Sequence, residues 1–202
     1  MSDWIHEDDR VRVTGLAVGD YDNNAFVVCC RRTNRAVIID AAAETDRILS
    51  ACAGFDVEAI LTTHGHWDHL QVLDEVIAAL DVPWYLHPAD IEIAGRAPDE
   101  VIVDRQEFAV GELLIHARHT PGHTPGSVSF VMEPLLFSGD TLFPGGPGAT
   151  RWEYSSFGQV MDSLEQRLFT LPDPTVVLPG HGASTTIGKE RPSVGAWRAR
   201  GW

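Results

Sequence analysis

Four side chains able to bind a metal, His64, His66, Asp68 and His69, fall within six residues, directly after the apolar run Val57 to Leu61. Alternation along an extended segment sends His64 and His66 to one side, while Asp68 and His69 sit where the start of a helix turns them back toward that side. Two converging pairs point to two metals. The competing reading is a solvated loop in which Asp68 caps a helix starting near Leu70. Three later segments weigh against it. His123 lies in Thr120 to Gly126, Asp140 in Ser138 to Phe143, and His181 in Pro179 to Gly182. Each of these three residues follows a glycine and stands at or just beyond the end of a short apolar strand, so a rigid scaffold presents each on a loop.

The series His64/His66/Asp68/His69, His123, Asp140, His181 resembles the metallo-β-lactamase-fold superfamily of hydrolases. The wording Pro121 to Gly126, Gly139 to Phe143 and Pro179 to Gly182 is most similar to its glyoxalase II-like branch, in a short form without the C-terminal helical domain. The resemblance runs from the first strands to His181. It implies an α/β (α+β) fold, a four-layer αββα sandwich whose loops gather the ligands along one edge. It assigns His64, His66 and His123 to one metal, Asp68, His69 and His181 to a second, and Asp140 to a bridge between them. Asp68 then has a second, catalytic role, orienting a bridging hydroxide.

Imidazole suits zinc, iron and other transition metals, and a carboxylate can bridge two cations. The implied cofactors are two divalent ions, zinc first, with iron or manganese compatible. Two such ions about 3.5 to 4 Å apart hold water at a depressed pKa and polarise a carbonyl oxygen. The expected reaction is hydrolysis of a thioester or ester without a serine or cysteine nucleophile.

Departures from family patterns narrow the choice. Exported metallo-β-lactamases share the wording at His64 to His69 but not an aspartate bridge such as Asp140. Glyoxalase II itself draws glutathione contacts from a C-terminal region, and little chain follows His181. The main rival is a persulfide dioxygenase, which binds a single iron through positions matching His64, His123 and Asp140 and carries a cysteine where this chain has Ser127. A lactonase and a non-catalytic metal-binding protein stand behind these; a structural site needs only four ligands and no open position.

Length and composition agree. A chain of 202 residues, 44% hydrophobic, can bury one substantial core, and no Pro, Gly or Ser-rich linker divides it, which predicts a single domain over 1–202. The formal charge of -14, from 29 acidic against 15 basic residues, repels phosphate backbones and anionic lipid surfaces, leaving a small molecule as the expected partner. No apolar run is long enough to cross a bilayer, and Met1 to Arg10 lacks the basic and apolar regions of a secretory signal, so a cytoplasmic location is expected. Cys29, Cys30 and Cys52 read as buried thiols rather than a disulfide framework.

The elements that must position these residues follow from pattern. Strands are predicted at Val11 to Val18, Ala25 to Cys30, Ala36 to Asp40, Val57 to Thr62, up to Leu86, Val101 to Val103, Glu112 to Ala117, Ser127 to Met132, Leu135 to Ser138 and Thr175 to Leu178. Helices are predicted at Glu44 to Ala53, Leu70 to Leu80, Pro88 to Ala94 and Ser155 to Thr170. Two batches of strands with helices between them fit two sheets packed face to face with helices outside.

Several other residues carry two readings each. Asp40, ending a strand, either orients a ligand imidazole or caps the helix near Glu44. His119 reads as a hydrogen-bonded structural histidine. Trp67 either walls the pocket or packs beneath the ligand loop. Beyond the Gly/Pro loop Pro144 to Gly148, Arg151 either pairs with a substrate carboxylate or is solvated, and Tyr154 is placed to donate a hydrogen bond to substrate.

Overall fold

The computed structural model describes residues 4–201, so Met1 to Asp3 of the acidic start lie outside the described residues. Two sheets form the middle of the molecule. The first runs β1 (Trp4–Glu7), β2 (Val11–Val18), β3 (Asn23–Cys30), β4 (Arg35–Ile39), β5 (Asp56–Leu61), β6 (Trp84–Leu86) and β7 (Glu100–Val101), in sequence order across the sheet. β1 to β4 are an antiparallel meander; β4 to β7 are parallel neighbours joined by helical crossovers. Those crossovers carry α1 (Thr45–Ala51), α2 (Leu73–Leu80) and α3 (Ile91–Ala94).

The second sheet comprises β8 (Glu107–Val110), β9 (Leu113–His119), β10 (Val128–Met132) and β11 (Leu135–Gly139), followed after a small hairpin by β14 and β15. The hairpin pairs β12 (Leu142–Phe143) with β13 (Gly146–Pro147). α4 (Phe157–Ser163) runs into a π-helical turn over Leu164–Leu168. β14 (Val176–Pro179) then adds parallel to β11, β15 (Thr185–Thr186) closes that edge, and α5 (Ile187–Glu190) and α6 (Val194–Arg200) end the chain.

Period-two alternation explains the layering. In β3, Phe26, Val28 and Cys30 face a core shared with Phe130, Phe137 and Ile115 of the other sheet. The intervening Ala25, Val27 and Cys29 face Ile48 of α1 and Leu73 and Val76 of α2. On the far side Val131 and Leu136 pack against Met161, Leu164, Leu168 and Trp197. Three apolar layers separate four structural ones: helix, sheet, sheet, helix. Because strands such as β3, β10 and β11 are covered on both faces, they read in sequence as mostly apolar rather than as alternating apolar and polar residues. All three cysteines are buried and unpaired. Among the described residues no helix is long and apolar enough to cross a membrane.

Helix boundaries differ from the sequence reading: the predicted Glu44 to Ala53 helix spans Thr45–Ala51, and a 3-10 turn over Pro88–Asp90 precedes α3. The helix predicted from Leu70 begins at Leu73, after a 3-10 turn over Trp67–His69. Asp68 does not cap it, because its carboxylate is held by Asn23, and the Val72 N–H is drawn to the Ala41 carbonyl at 3.3 Å. The helix predicted over Ser155 to Thr170 starts at Phe157, where the Ser156 hydroxyl accepts from the Gln159 N–H at 3.3 Å.

Candidate metal centre

The site forms where the ends of β4, β5, β11 and β14 and the loop after β9 meet along one edge of the sandwich. β4 ends at Ile39, and Asp40 just beyond it has a left-handed backbone with φ 61° and turns its carboxylate across the end of β5. There Asp40 Oδ1 accepts from the Thr63 N–H at 2.8 Å, and Oδ2 accepts from the Thr63 hydroxyl at 2.8 Å. The Thr63 carbonyl takes the N–H of Val128 at 2.8 Å, tying the ligand loop to the second sheet. His64 to His69 therefore leave β5 on a path fixed from both sides.

All seven sequence-predicted ligand residues converge. His66 Nδ1 lies 3.0 Å from His64 Nε2 and 3.0 Å from His123 Nε2. Each ring is anchored by its outer nitrogen. His64 Nδ1–H donates to the Thr63 hydroxyl at 3.1 Å, His123 Nδ1–H to the Ala149 carbonyl at 2.7 Å, and His66 Nε2–H to the Tyr154 oxygen at 2.8 Å. In the tautomers that put those protons outward, three inward lone pairs face one another, and a cation between them satisfies all three. A tetrahedral cation with bonds of about 2.0–2.1 Å holds its ligand nitrogens about 3.3–3.4 Å apart, so the trio fits such an ion.

The second group is Asp68, His69 and His181. His69 Nε2 and His181 Nε2 are 3.3 Å apart, and Asp68 Oδ2 is 3.4 Å from His181 Nε2. The outer nitrogens are again held, His69 Nδ1–H by Asp40 Oδ2 at 2.9 Å and His181 Nδ1–H by the Tyr21 carbonyl at 2.8 Å. Asp140 stands between the groups, with Oδ2 3.5 Å from His123 Nε2 and 3.6 Å from His181 Nε2, and Oδ1 3.5 Å from His69 Nε2. That Oδ1 is buried without a hydrogen-bond partner. A buried carboxylate oxygen with no donor suits a bound cation.

The electrostatics separate the two groups. Burial, reinforced by the neighbouring imidazoles, pushes His64 well below the ordinary histidine range and takes His66 down to about 4; burial lowers His123 as well. These three imidazoles are neutral at pH 7. Burial also opposes charge on His69, but Asp40, Asp140 and Asp68 outweigh it and raise His69 to about 9. At His181 burial is likewise outweighed, by Asp68 and Asp140. At Asp68 burial raises the carboxyl, and the His181 and His69 imidazoles with the Asn23 amide outweigh it and hold the group low. The acidic half of the site demands positive charge, which a proton on His69 or a bound cation supplies.

Several residues that sequence reasoning missed hold this arrangement. The fully buried Asn23 donates through Nδ2 to Asp68 Oδ2 at 3.0 Å, while its Oδ1 has no partner. Asp90, also fully buried, accepts from the Gly65 N–H at 2.8 Å, the Gly126 N–H at 2.6 Å and the Thr124 hydroxyl at 2.6 Å, joining the His64–His66 loop to the His123 loop. Glycine at 180 is required by close approach, since a Cβ there would stand 2.2 Å from Asp140 Oδ1 and 2.7 Å from His69 Cε1.

A cleft of about 720 Å³ opens over the centre, with His66, Asp68, His123, Asp140 and His181 on its floor. Trp67 is 62% exposed at its mouth, so it walls the cleft and does not pack under the loop. The Arg151 guanidinium lies over the Trp152 ring at 4.8 Å and has no carboxylate partner among the described residues. Asp40 orients His69 and leaves α1 without a side-chain cap. His119 is structural: it stacks on His87 with ring centres 4.1 Å apart, and its Nε2–H donates to the Pro125 carbonyl at 2.8 Å.

Four layers with an edge cluster of five histidines and two aspartates define a metal-dependent enzyme fold of the β-lactamase type. Residues 18–181 match the model of the metallo-beta-lactamase superfamily, and the chain belongs to that superfamily, whose members are typically metal-dependent hydrolases. Among solved structures it is similar to the B3 metallo-beta-lactamase BLEG-1, at 30% identity and TM-score 0.80, over 89% of this chain and 96% of that one. It is equally similar in fold to ETHE1 from Myxococcus xanthus, at 28% identity and TM-score 0.80, over 89% of this chain and 81% of that one. TTHA1623, solved in a di-iron-bound form, matches at 32% identity and TM-score 0.76, over 88% of this chain and 96% of that one.

Proposed function

We propose that the protein is a dinuclear metal-dependent hydrolase of a small thioester or ester, related in chemistry to the glyoxalase II-like branch. The observation that carries this is the anchoring of all five imidazoles through their outer nitrogens, with every inner nitrogen and the unpartnered Asp140 Oδ1 directed at two adjacent positions. His64, His66 and His123 would hold one ion, Asp68, His69 and His181 the other, with Asp140 between; zinc, iron and manganese all suit the donor set. Bound there, two such ions supply hydroxide at neutral pH and polarise the substrate carbonyl.

The remaining work falls to the chain. Asp68, fixed by Asn23, accepts a hydrogen bond from the attacking water and aims its lone pair. Arg151, splayed on Trp152 with no carboxylate partner among the described residues, pairs with an anionic group of the substrate. The Tyr154 oxygen already accepts from His66, so its own O–H remains free to donate to a substrate oxygen.

Persulfide oxidation by enzymes of the same fold is the second reading. Against it stands Ser127, at the position where those enzymes carry cysteine: its hydroxyl is buried and committed to Thr124, 2.7 Å from Oγ1 and 3.1 Å from the N–H. The test is thiol release from a panel of thioesters, with esters and lactones alongside, after loading with zinc, iron or manganese. Release abolished by chelation and restored by metal supports hydrolysis. Oxygen uptake on glutathione persulfide without thioester turnover overturns it.

A further inference from the structure

The two walls of the cleft differ in kind. On the side of Asp68 and His181, Tyr21 and Trp67 meet edge to face with ring centres 5.9 Å apart, and they are 60% and 62% exposed. Ile93 also lines the cleft, and among the described residues no charged side chain besides Asp68 and His181 belongs to this wall. On the side of His66 and His123, Trp152 and Tyr154 lie parallel, 4° apart in plane at 6.2 Å, with Arg151 spread on Trp152. Arg151 is the one lysine or arginine lining the cleft among the described residues.

Tyr21 and Trp67 come from separate elements and meet only because each belongs to a strand connection that serves the centre. Tyr21 precedes Asn23 on the β2–β3 turn and gives its carbonyl to His181; Trp67 sits between His66 and Asp68. Leaving two large rings exposed forgoes roughly 25 cal/mol for every Å² of apolar surface that could be covered. Contiguous exposed apolar surface beside a polar centre marks a ligand-binding groove.

We infer that the substrate spans the centre as a molecule with a single carboxylate at one end, paired with Arg151, and a ring or branched apolar group at the other, packed on Tyr21 and Trp67. This deepens the hydrolase reading and rests on it. A glutathione thioester carries two carboxylates and an ammonium group, and the cleft offers one cation and an uncharged aromatic wall. Tyr21 and Trp67 are thus specificity-determining residues, and the carrier is smaller and more apolar than a tripeptide.

Four matched thioesters test this on the metal-loaded protein: 3-phenylpropanoyl and acetyl esters of 3-mercaptopropionate, and the same two acyl groups on ethanethiol. The succinyl ester of phenylmethanethiol, which reverses the two ends, and S-lactoylglutathione complete the set. Adding the ring to a carboxylated thioester, in one of the two orientations, should raise kcat/KM by about tenfold or more, the scale on which apolar pockets discriminate. S-lactoylglutathione should fall below that compound. Tyr21→Ala and Trp67→Ala should each shrink the ring-to-acetyl ratio severalfold, while Tyr21→Phe should keep it; metal content measured on every variant separates loss of ring contact from loss of the centre.

A ring-to-acetyl ratio near one in both orientations, a ratio untouched by both alanine variants, or preference for S-lactoylglutathione overturns the inference. If no thioester turns over, the hydrolase reading fails and the aromatic wall is judged by equilibrium binding of 3-phenylpropionate against propionate. Tighter binding of the former that is lost in Tyr21→Ala and Trp67→Ala sustains the wall as a binding surface, and equal binding removes it.

Discussion

Oδ2 of Asp40 lies 2.9 Å from Nδ1 of His69, and the two side chains are 2% and 0% exposed. The carboxylate fixes which His69 nitrogen carries the proton, and so which one faces the centre. Its other contacts, to the N–H and hydroxyl of Thr63, extend the same control to His64 through the Thr63 hydroxyl. One buried aspartate at a left-handed strand end sets the tautomers of two histidines in two different groups.

Asp40→Asn should therefore weaken metal binding by about 10- to 100-fold, the usual effect of removing a carboxylate behind a ligating imidazole. Competition against a chromogenic chelator measures it, with circular dichroism to show that the fold is retained. Affinity equal to wild type would remove Asp40 from the account.

Gly180→Ala tests the packing at the bridge. The added methyl would meet Asp140 Oδ1 at 2.2 Å and His69 Cε1 at 2.7 Å, closer than any relaxed contact. It should displace the carboxylate and remove at least one equivalent of metal, leaving the apolar layers intact. Elemental analysis of the purified variant is the readout, and a full complement of metal would contradict the geometry described.

Arg151→Ala should raise KM for carboxylated substrates by about ten- to a hundredfold, as expected for loss of a charge-assisted hydrogen bond of about 1.5–3 kcal/mol, with kcat changed much less. Uncharged thioesters serve as the internal control. Equal effects on charged and uncharged substrates would show that Arg151 shapes the loop and binds nothing.

A pH effect on stability is built in away from the metals. His87 is lowered to about 4 from the ordinary 6.5, by burial first and then by the stacked His119, against the opposing field of Asp104; its Nδ1 accepts from the Ala89 N–H at 3.3 Å and must be unprotonated to do so. Between those two values the unfolded chain holds more protons than the folded one, so this residue's contribution falls as pH drops from 6.5 toward 4 and is flat above 6.5. His87→Phe keeps a ring on His119 and abolishes the titration. With metal stripped from both proteins, wild type should lose more Tm than the variant on going from neutral pH to the acid side of this window. Parallel loss in the two would exclude His87 as the cause.

The seven clustered residues were legible from short-range pattern: His64 to His69 lie close together just beyond a strand, and His123, Asp140 and His181 each follow a glycine at or near a strand end. The residues that hold them were not. Asn23 grips Asp68 across 45 positions and Asp90 grips Gly65 across 25, pairings that no local period encodes. Asp40 was legible as a strand end, and only the approach of β5 decided between orienting His69 and capping α1. The same split runs through the fold. β2 spans Val11–Val18 as its apolar pattern predicts, because both its faces are covered. β8 escaped notice because only Val110 of Glu107–Val110 is buried, and α6 because Trp197 alone is buried across Val194–Arg200. Leu70 belongs to the helical period but not to the helix, since the pull of Asn23 on Asp68 and of Ala41 on Val72 shapes the turn before Leu73.

Stoichiometric reconstitution tests the dinuclear hydrolytic centre. Metal-free protein is titrated with zinc while thiol release from a simple thioester is followed. Two equivalents should bind per chain, activity should reach its plateau only as the second fills, and Asp140→Ala should abolish both the second equivalent and the turnover. Full activity at one equivalent, or two bound equivalents with no thioester hydrolysis, would contradict a dinuclear hydrolytic centre.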